Sequence, residues 1–240
     1  MLTLSVLEKI FGSFSAVNKI NLELKSGELF GFLGPNGAGK TTTIKMITGL
    51  LSPTSGKISF NNIDVWNDPI SFKMKMGYIP DQPFLYDKLT GREFLSFCGG
   101  LYKLNKIYVE DKISELIERL KIGDWIDKRT EDYSQGMRQR IVIASAFIHE
   151  PELIIVDEPM VGLDPQSAFQ VKKLFVEESK KGKTIFMSTH SLNVVEEICS
   201  DVAIINKGNI IFHDKIEGLQ KLKQQHDRNL EDLFIQLTEE

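Results

Sequence analysis

The order of apolar and polar positions divides the chain into alternating runs, amphipathic stretches and short wholly apolar runs. Residues 2–7, 20–24 and 29–33 are apolar or alternating segments that predict strands, with Ser26-Gly27 turning the chain between the last two. After Gly39, the segment KTTTIKMITGLL places Ile44, Ile47 and Leu51 at helical spacing and stops at Ser52-Pro53. A glycine-rich loop therefore joins a strand to a helix. Ser55-Gly56 opens a strand at Lys57 to Phe60, and Gly77-Tyr78-Ile79 offers another before Pro80.

From residue 84 to 132 the texture changes. Glu93 to Leu101 and Val109 to Leu120 read as amphipathic helices with no clear strand among them, which predicts a helical insert. The chain then alternates: helix Gly136 to Ile148, strand Leu153 to Asp157, helix Gln166 to Lys180, strand Thr184 to Ser188, helix Leu192 to Cys199, strand Val202 to Ile205. That rhythm implies a largely parallel sheet. Asn206-Lys207-Gly208-Asn209 predicts a hairpin turn into Ile210 to Phe212, and the polar residues that follow predict a helix. The expected organisation is one α/β domain over 1–240. Its core comprises 1–83 and 133–213, the helical insert 84–132, and a C-terminal helical tail 214–240.

Composition narrows the class. A chain of 240 residues can bury a large core, about 70–75% of the surface that it exposes when unfolded. Its 42% apolar and 26% charged content is ordinary globular usage. The net charge of -4 mixes 29 basic with 33 acidic side chains without a long single-sign block, which argues against a nucleic-acid partner. Cys98 and Cys199 lack CxxC spacing and a histidine cluster, so they read as buried thiols of a reducing compartment. Glu8 and Lys9 fall early in an alternating N-terminal run, unlike a signal peptide. Apolar runs such as Leu153 to Val156 are far shorter than a bilayer span, which needs roughly 18–20 residues. If a membrane is involved, another chain is expected to cross it.

Candidate chemistry begins with GPNGAGKT: Gly34, Pro35, Asn36, Gly37, Ala38, Gly39, Lys40 and Thr41. The glycines let the backbone curl so that successive N–H groups converge on phosphate oxygens at a helix start. Lys40 would reach the β- and γ-phosphates as a point charge, the Thr41 hydroxyl would ligate Mg²⁺, and Thr42 could donate to an α-phosphate oxygen. Strand before and helix after supply the context that this mechanism requires.

A second constellation is LIIVDEP, Leu153 to Pro159, in which a buried strand delivers two carboxylates at its carboxyl end, where ligand crevices of open α/β sheets lie. Asp157 suits a Mg²⁺ contact and Glu158 suits accepting a proton from an attacking water. Alone, the pair reads equally as a helix cap. In YSQGMRQR, Tyr133 to Arg140, Ser134 is a good N-cap and Gly136 leaves its N–H accessible, which alone is only a helix start.

Together these segments resemble the nucleotide-binding subunit of an ABC transporter, with a P-loop NTPase core, a small antiparallel β subdomain and an α-helical insert. GPNGAGKT resembles Walker A, YSQGM the signature, LIIVDEP Walker B, GLDP the D-loop, and Thr189-His190 the switch histidine, in the family's order over residues 2–213. The resemblance implies ATP and Mg²⁺ as ligands and hydrolysis with Glu158, His190 and Lys40 in the catalytic roles. It implies a head-to-tail pair, as a homodimer or with a paralogous subunit, in which Ser134 and Gly136 contact the partner's γ-phosphate and Asp164 links the two sites. It also implies separate membrane permease subunits and a place at the cytoplasmic face of the cell membrane. Phe11 stands where the family carries an adenine-stacking aromatic, and a ring face serves that role whether Phe or Tyr supplies it.

The chain departs from the family pattern twice. YSQGM replaces LSGGQ, so Gln135 and Met137 stand in place of a glycine and a glutamine, a form that resembles the two-gene exporter branch. GYIPDQP puts Asp81 at the usual Q-loop glutamine, an anionic and shorter candidate for Mg²⁺. The same motifs occur in soluble ABC-type ATPases, such as those of iron-sulphur assembly, and that alternative stays open at the level of sequence.

Overall fold

The computed structural model describes residues 1–226. The N-terminal part is strand-rich: β1 (Leu2–Phe11), β2 (Phe14–Leu24) and β3 (Leu29–Leu33), then α1 (Lys40–Ile47), β4 (Ser55–Phe60), β5 (Ile63–Asp64), α2 (Pro69–Met74) and β6 (Met76–Ile79). Two helices follow, α3 (Gly91–Leu101) and α4 (Lys106–Leu120). The chain then alternates through α5 (Gln135–Phe147), β7 (Leu153–Asp157), α6 (Pro165–Lys180), β8 (Thr184–Thr189), α7 (Leu192–Ile198), β9 (Asp201–Asn206), β10 (Asn209–Lys215) and α8 (Ile216–His226).

Two sheets face each other. One is antiparallel with strand order β2-β1-β4-β5; the other runs β10-β9-β3-β8-β7-β6, parallel except for the β9–β10 hairpin. Strands β3, β7 and β8 carry side chains buried on both faces, as central strands covered by helices or a second sheet must. Phe30, Phe32 and Phe186 meet between the sheets, with ring centroids 5.2–5.7 Å apart. The other face of the parallel sheet packs against α4, α5 and α6 through Leu116, Ile143 and Leu174, among others.

The helical segment is held by polar and apolar contacts alike. A capping box at Thr90 and Glu93 starts α3, and Asn105 caps α4. Arg119 of α4 donates to Glu178 at 2.7 Å and Glu177 at 3.0 Å on α6, and Lys181 and Lys183 also reach the buried Glu178. This ion cluster ties the helices between β6 and α5 to the core.

Several boundaries differ from the sequence expectation for identifiable reasons. The first two strands form one long hairpin, with Phe11 opposite Phe14, because bulges interrupt the alternation: register shifts fall between Leu4 and Leu7 and between Leu7 and Lys9, and Val6 and Lys19 both sit at φ 48. Short β5 and α2 lie below the length at which periodicity is legible, although Asp68, which accepts from Ser71 N, and Pro69 form a helix-start pair. Of the tail expected as helical over 214–240, residues 214–215 finish β10, Ile216–His226 is α8, and the remainder lies outside the described residues.

Candidate nucleotide-binding site

The loop after β3 is shaped by backbones that press on it from three sides. Gly39, the residue before α1, has φ 111, and a methyl group there would lie 2.5 Å from Ala16 O of β2. A methyl on Gly34 would collide with Ile205 O of β9, and Gly208 of the β9–β10 turn donates its N–H to Ala38 O at 3.0 Å. Glycine is required at 34 and 39 because no side chain fits. Gly37 has φ 80, and a methyl there would meet nothing within 4 Å, so the loop is open on its outer side. The first N–H groups of α1 lack intrahelical acceptors and face this opening, with the positive end of the helix dipole behind them.

The opening is a cleft of about 390 Å³. Pro35, Asn36, Gly37, Gly39, Lys40, Thr41 and Thr42 form one side; Asp81 and Glu158 form the other, and Phe14 and Ala16 close its edge. Lys40 is only 7% exposed, and its ammonium donates to Gly34 O at 2.7 Å and Pro35 O at 3.2 Å. Loss of water lowers its pKa, outweighing the charges of Glu158 and Asp157, which act the other way. Lys40 thus stays folded back on its own loop, ready to exchange carbonyl oxygens for an anionic ligand.

Asp157 ends β7 with no exposed surface. The Ser188 hydroxyl donates to its Oδ1, while Oδ2 is buried without a hydrogen-bond partner. Burial raises its pKa; the Ser188 and Thr41 hydroxyls oppose that shift, and the charges of Asp81 and Glu158 reinforce it. A buried carboxylate oxygen with no donor, beside a threonine hydroxyl and a second carboxylate, is an all-oxygen set suited to Mg²⁺. The residues fit that ion, with Thr41, Asp157 and Asp81 as the groups that would hold it.

Glu158 follows on β7 and adopts φ 49, a left-handed conformation that turns its carboxylate into the cleft. Its Oε1 lies 3.8 Å from Lys40 Nζ and its Oε2 lies 3.0 Å from Nδ1 of His190, which follows β8. Asp81 is held by its own loop, Oδ1 accepting from Gln82 N at 2.9 Å. Three adjacent strands, β3, β7 and β8, thus deliver Lys40, Asp157, Glu158 and His190 at their carboxyl ends, the expected place for a ligand in an open α/β sheet.

The other expected site residues lie elsewhere. Phe11, at the end of β1, is half exposed, does not line the cleft, and has the Lys9 ammonium 5.0 Å from its ring centroid; its hairpin partner Phe14 is the aromatic at the cleft edge. Sequence reading missed Phe14 because it missed the hairpin. Ser134 caps α5 by accepting from Met137 N at 3.3 Å, and Asp164 caps α6 through Ser167 N at 3.0 Å and Ser167 Oγ at 2.6 Å. Ser134, Gly136 and Asp164 do not line the cleft; Gly136 instead packs beside Gly162, two residues before Asp164.

The pattern that defines the ABC transporter family matches residues 17–161, a stretch that takes in the cleft loop, the capped α5 and both Walker B carboxylates. The chain belongs to the ABC transporter family of ATP-binding subunits. The ABC transporter ATP-binding protein NatA of Bacillus subtilis is 35% identical over 215 residues, which is 89% of this chain and 87% of that protein. The linearmycin resistance ATP-binding protein LnrL of the same organism is 37% identical over 211 residues, 88% of this chain and 68% of its own. A solved structure of the ATP-binding subunit of an ABC transporter superposes with a TM-score of 0.91 at 30% identity, covering 99% of each chain. In this ABC ATP-binding subunit, the parallel sheet and the antiparallel subdomain take the arrangement of the family's ATPase cassettes.

Proposed function

We propose that this chain hydrolyses MgATP as one of two subunits that close on each other, and that closure drives a separate membrane permease in export. The separation of the two groups of family residues carries the reading: Lys40, Thr41, Asp157, Glu158 and His190 converge on one cleft, while Ser134, Gly136 and Asp164 sit away from it. A nucleotide in the cleft leaves its outer side uncovered, and a second chain presenting Ser134 and Gly136 completes the enclosure.

In that arrangement Lys40 leaves the carbonyls of Gly34 and Pro35 for the phosphates. Bound Mg²⁺ neutralises charge that builds on the phosphate oxygens. Glu158 takes the proton of the water that attacks the γ-phosphorus, the bond to the bridging oxygen breaks, and ADP and phosphate leave. His190, anchored on Glu158 Oε2, holds the carboxylate and the water in register. Phe11 or Phe14 supplies the face for adenine.

Export is supported by the resistance role that the name of LnrL prints, and docking by exposed aromatics at the start of the helical segment. Phe84 is 72% exposed and meets Tyr86 edge-on at 5.6 Å, and Tyr86 meets Phe97 at 5.5 Å. Among the described residues, no helix is long and apolar enough to cross a membrane. In this reading the pathway belongs to a permease partner, which holds the chain at the cytoplasmic face.

The decisive experiment pairs phosphate release by the wild type with light scattering of Glu158→Gln in MgATP. The expected result is turnover by the wild type, loss of about a hundredfold or more in the variant, and an ATP-dependent doubling of its mass. A variant that turns over like the wild type, or stays monomeric with saturating ATP, rejects the reading.

A further inference from the structure

Residue 135 is one of the two positions at which the chain departs from its family's signature, and its side chain has a definite place. It lies across Gly162: a methyl on Gly162 would come within 2.7 Å of Gln135 Cδ, 2.9 Å of Cγ and 3.0 Å of Nε2. Gly162 has φ 77, a backbone that favours glycine, and a methyl on Gly136 would sit 3.0 Å from Gly162 O. The N-terminus of α5 and this turn are therefore in close packing contact, backbone against backbone, with one exposed amide side chain lying on the turn.

The same turn leads directly back to Glu158. Val161 N donates to Glu158 O at 3.3 Å and Leu163 N to Met160 O at 3.3 Å, so two overlapping turns span Glu158 to Leu163. The segment then stops against α6, where Asp164 is fixed by Ser167. A shift of Glu158, tied to Lys40 on one side and His190 on the other, has one stiff four-residue path to Gly162, and Gln135 waits at its end.

We propose that Gln135 is a positioning residue that couples the Glu158 turn to the signature helix of its own subunit, so that occupancy of one nucleotide site adjusts the Ser134 and Gly136 that this subunit presents to the other. The inference rests on the two-subunit reading above. With Gln135 in place the two sites act as one cooperative unit. Without it, each hydrolyses ATP independently, because the signature helix no longer follows the turn.

The test is the ATP dependence of hydrolysis by the full chain for wild type, Gln135→Ala, Gln135→Met, Gly162→Ala and the double variant Gln135→Ala/Gly162→Ala. Gln135→Ala should lower the Hill coefficient to about 1, with half-saturation shifted less than about threefold. Gln135→Met, of similar length and able to lie on the same glycine, should restore cooperativity. Effects of Gln135→Ala and Gly162→Ala should be strongly non-additive, as for residues in contact. A wild-type Hill coefficient of about 1, an unchanged coefficient in Gln135→Ala, or additive effects overturns the coupling while leaving the dimer intact. Absence of ATP-driven dimerisation in Glu158→Gln, measured beside it, overturns the two-subunit reading and the coupling with it.

Discussion

Nδ1 of His190 lies 3.0 Å from Oε2 of Glu158, whose backbone is held at φ 49. The contact holds one carboxylate oxygen, while Lys40 Nζ stands 3.8 Å from the other. His190→Ala should therefore lower kcat by about a hundredfold, the scale for removing one preorganised polar group, while KM for ATP changes little. Steady-state phosphate release read across ATP concentration separates the two, and an effect confined to KM contradicts the assignment.

Lys40 donates to two loop carbonyls and stands 3.8 Å from Glu158. Lys40→Ala removes the ammonium that lines the phosphate cradle, an interaction worth about 1.5–3 kcal/mol for a charged hydrogen bond. ATP affinity should fall roughly ten- to a hundredfold, read by calorimetry or a fluorescent nucleotide. Equal affinity for wild type and variant removes Lys40 from the site.

Glu178 is buried among cations. Burial alone would raise its pKa, but hydrogen bonds from Lys181, Lys183 and Arg119 together outweigh it and bring the value down to about 2. A folded pKa below the unfolded one means stability present above the unfolded value, near 4.5, and lost as pH falls toward about 2. Glu178→Gln should destabilise by about 2 kcal/mol at neutral pH, and the gap to wild type should close across that acid window. Denaturant melts at neutral and acid pH give the comparison, and a gap independent of pH is the contrary result.

Phe84 and Tyr86 are exposed, and the Tyr86 ring meets Phe84 as well as Phe94 and Phe97 of α3. The double variant Phe84→Asp/Tyr86→Asp should keep its fold and ATP affinity yet fail to co-purify with the membrane subunit. Retention of the permease by a folded double variant places the docking surface elsewhere.

Much of this was legible from the chain because the deciding residues are local. GPNGAGKT sits between a wholly apolar strand and a helix, and the LIIVDEP strand carries its acids at the end; both patterns demand the places that the structure assigns. The β1–β2 hairpin was less legible, since Val6 and Lys19 at left-handed φ break the two-residue period, and Phe14 went unnoticed with it. The Glu158–His190 contact and the lie of Gln135 on Gly162 join residues 32 and 27 positions apart, and the orphaned Oδ2 of Asp157 depends on the packing around it; no pattern along the chain encodes these.

Strand β3 has a consequence beyond geometry. Every residue from Phe30 to Leu33 is laddered on both sides, to β8 and to β9, in the middle of the larger sheet. Its amides can exchange with solvent only when the sheet as a whole opens, so they should be among the slowest in the protein. A ligand on the loop that β3 carries is thus anchored to the last element to unfold. Bound nucleotide should then stabilise the entire core as a single unit, by about 2.7 kcal/mol at a hundredfold excess over Kd, and raise one common melting temperature instead of merely quieting a loop.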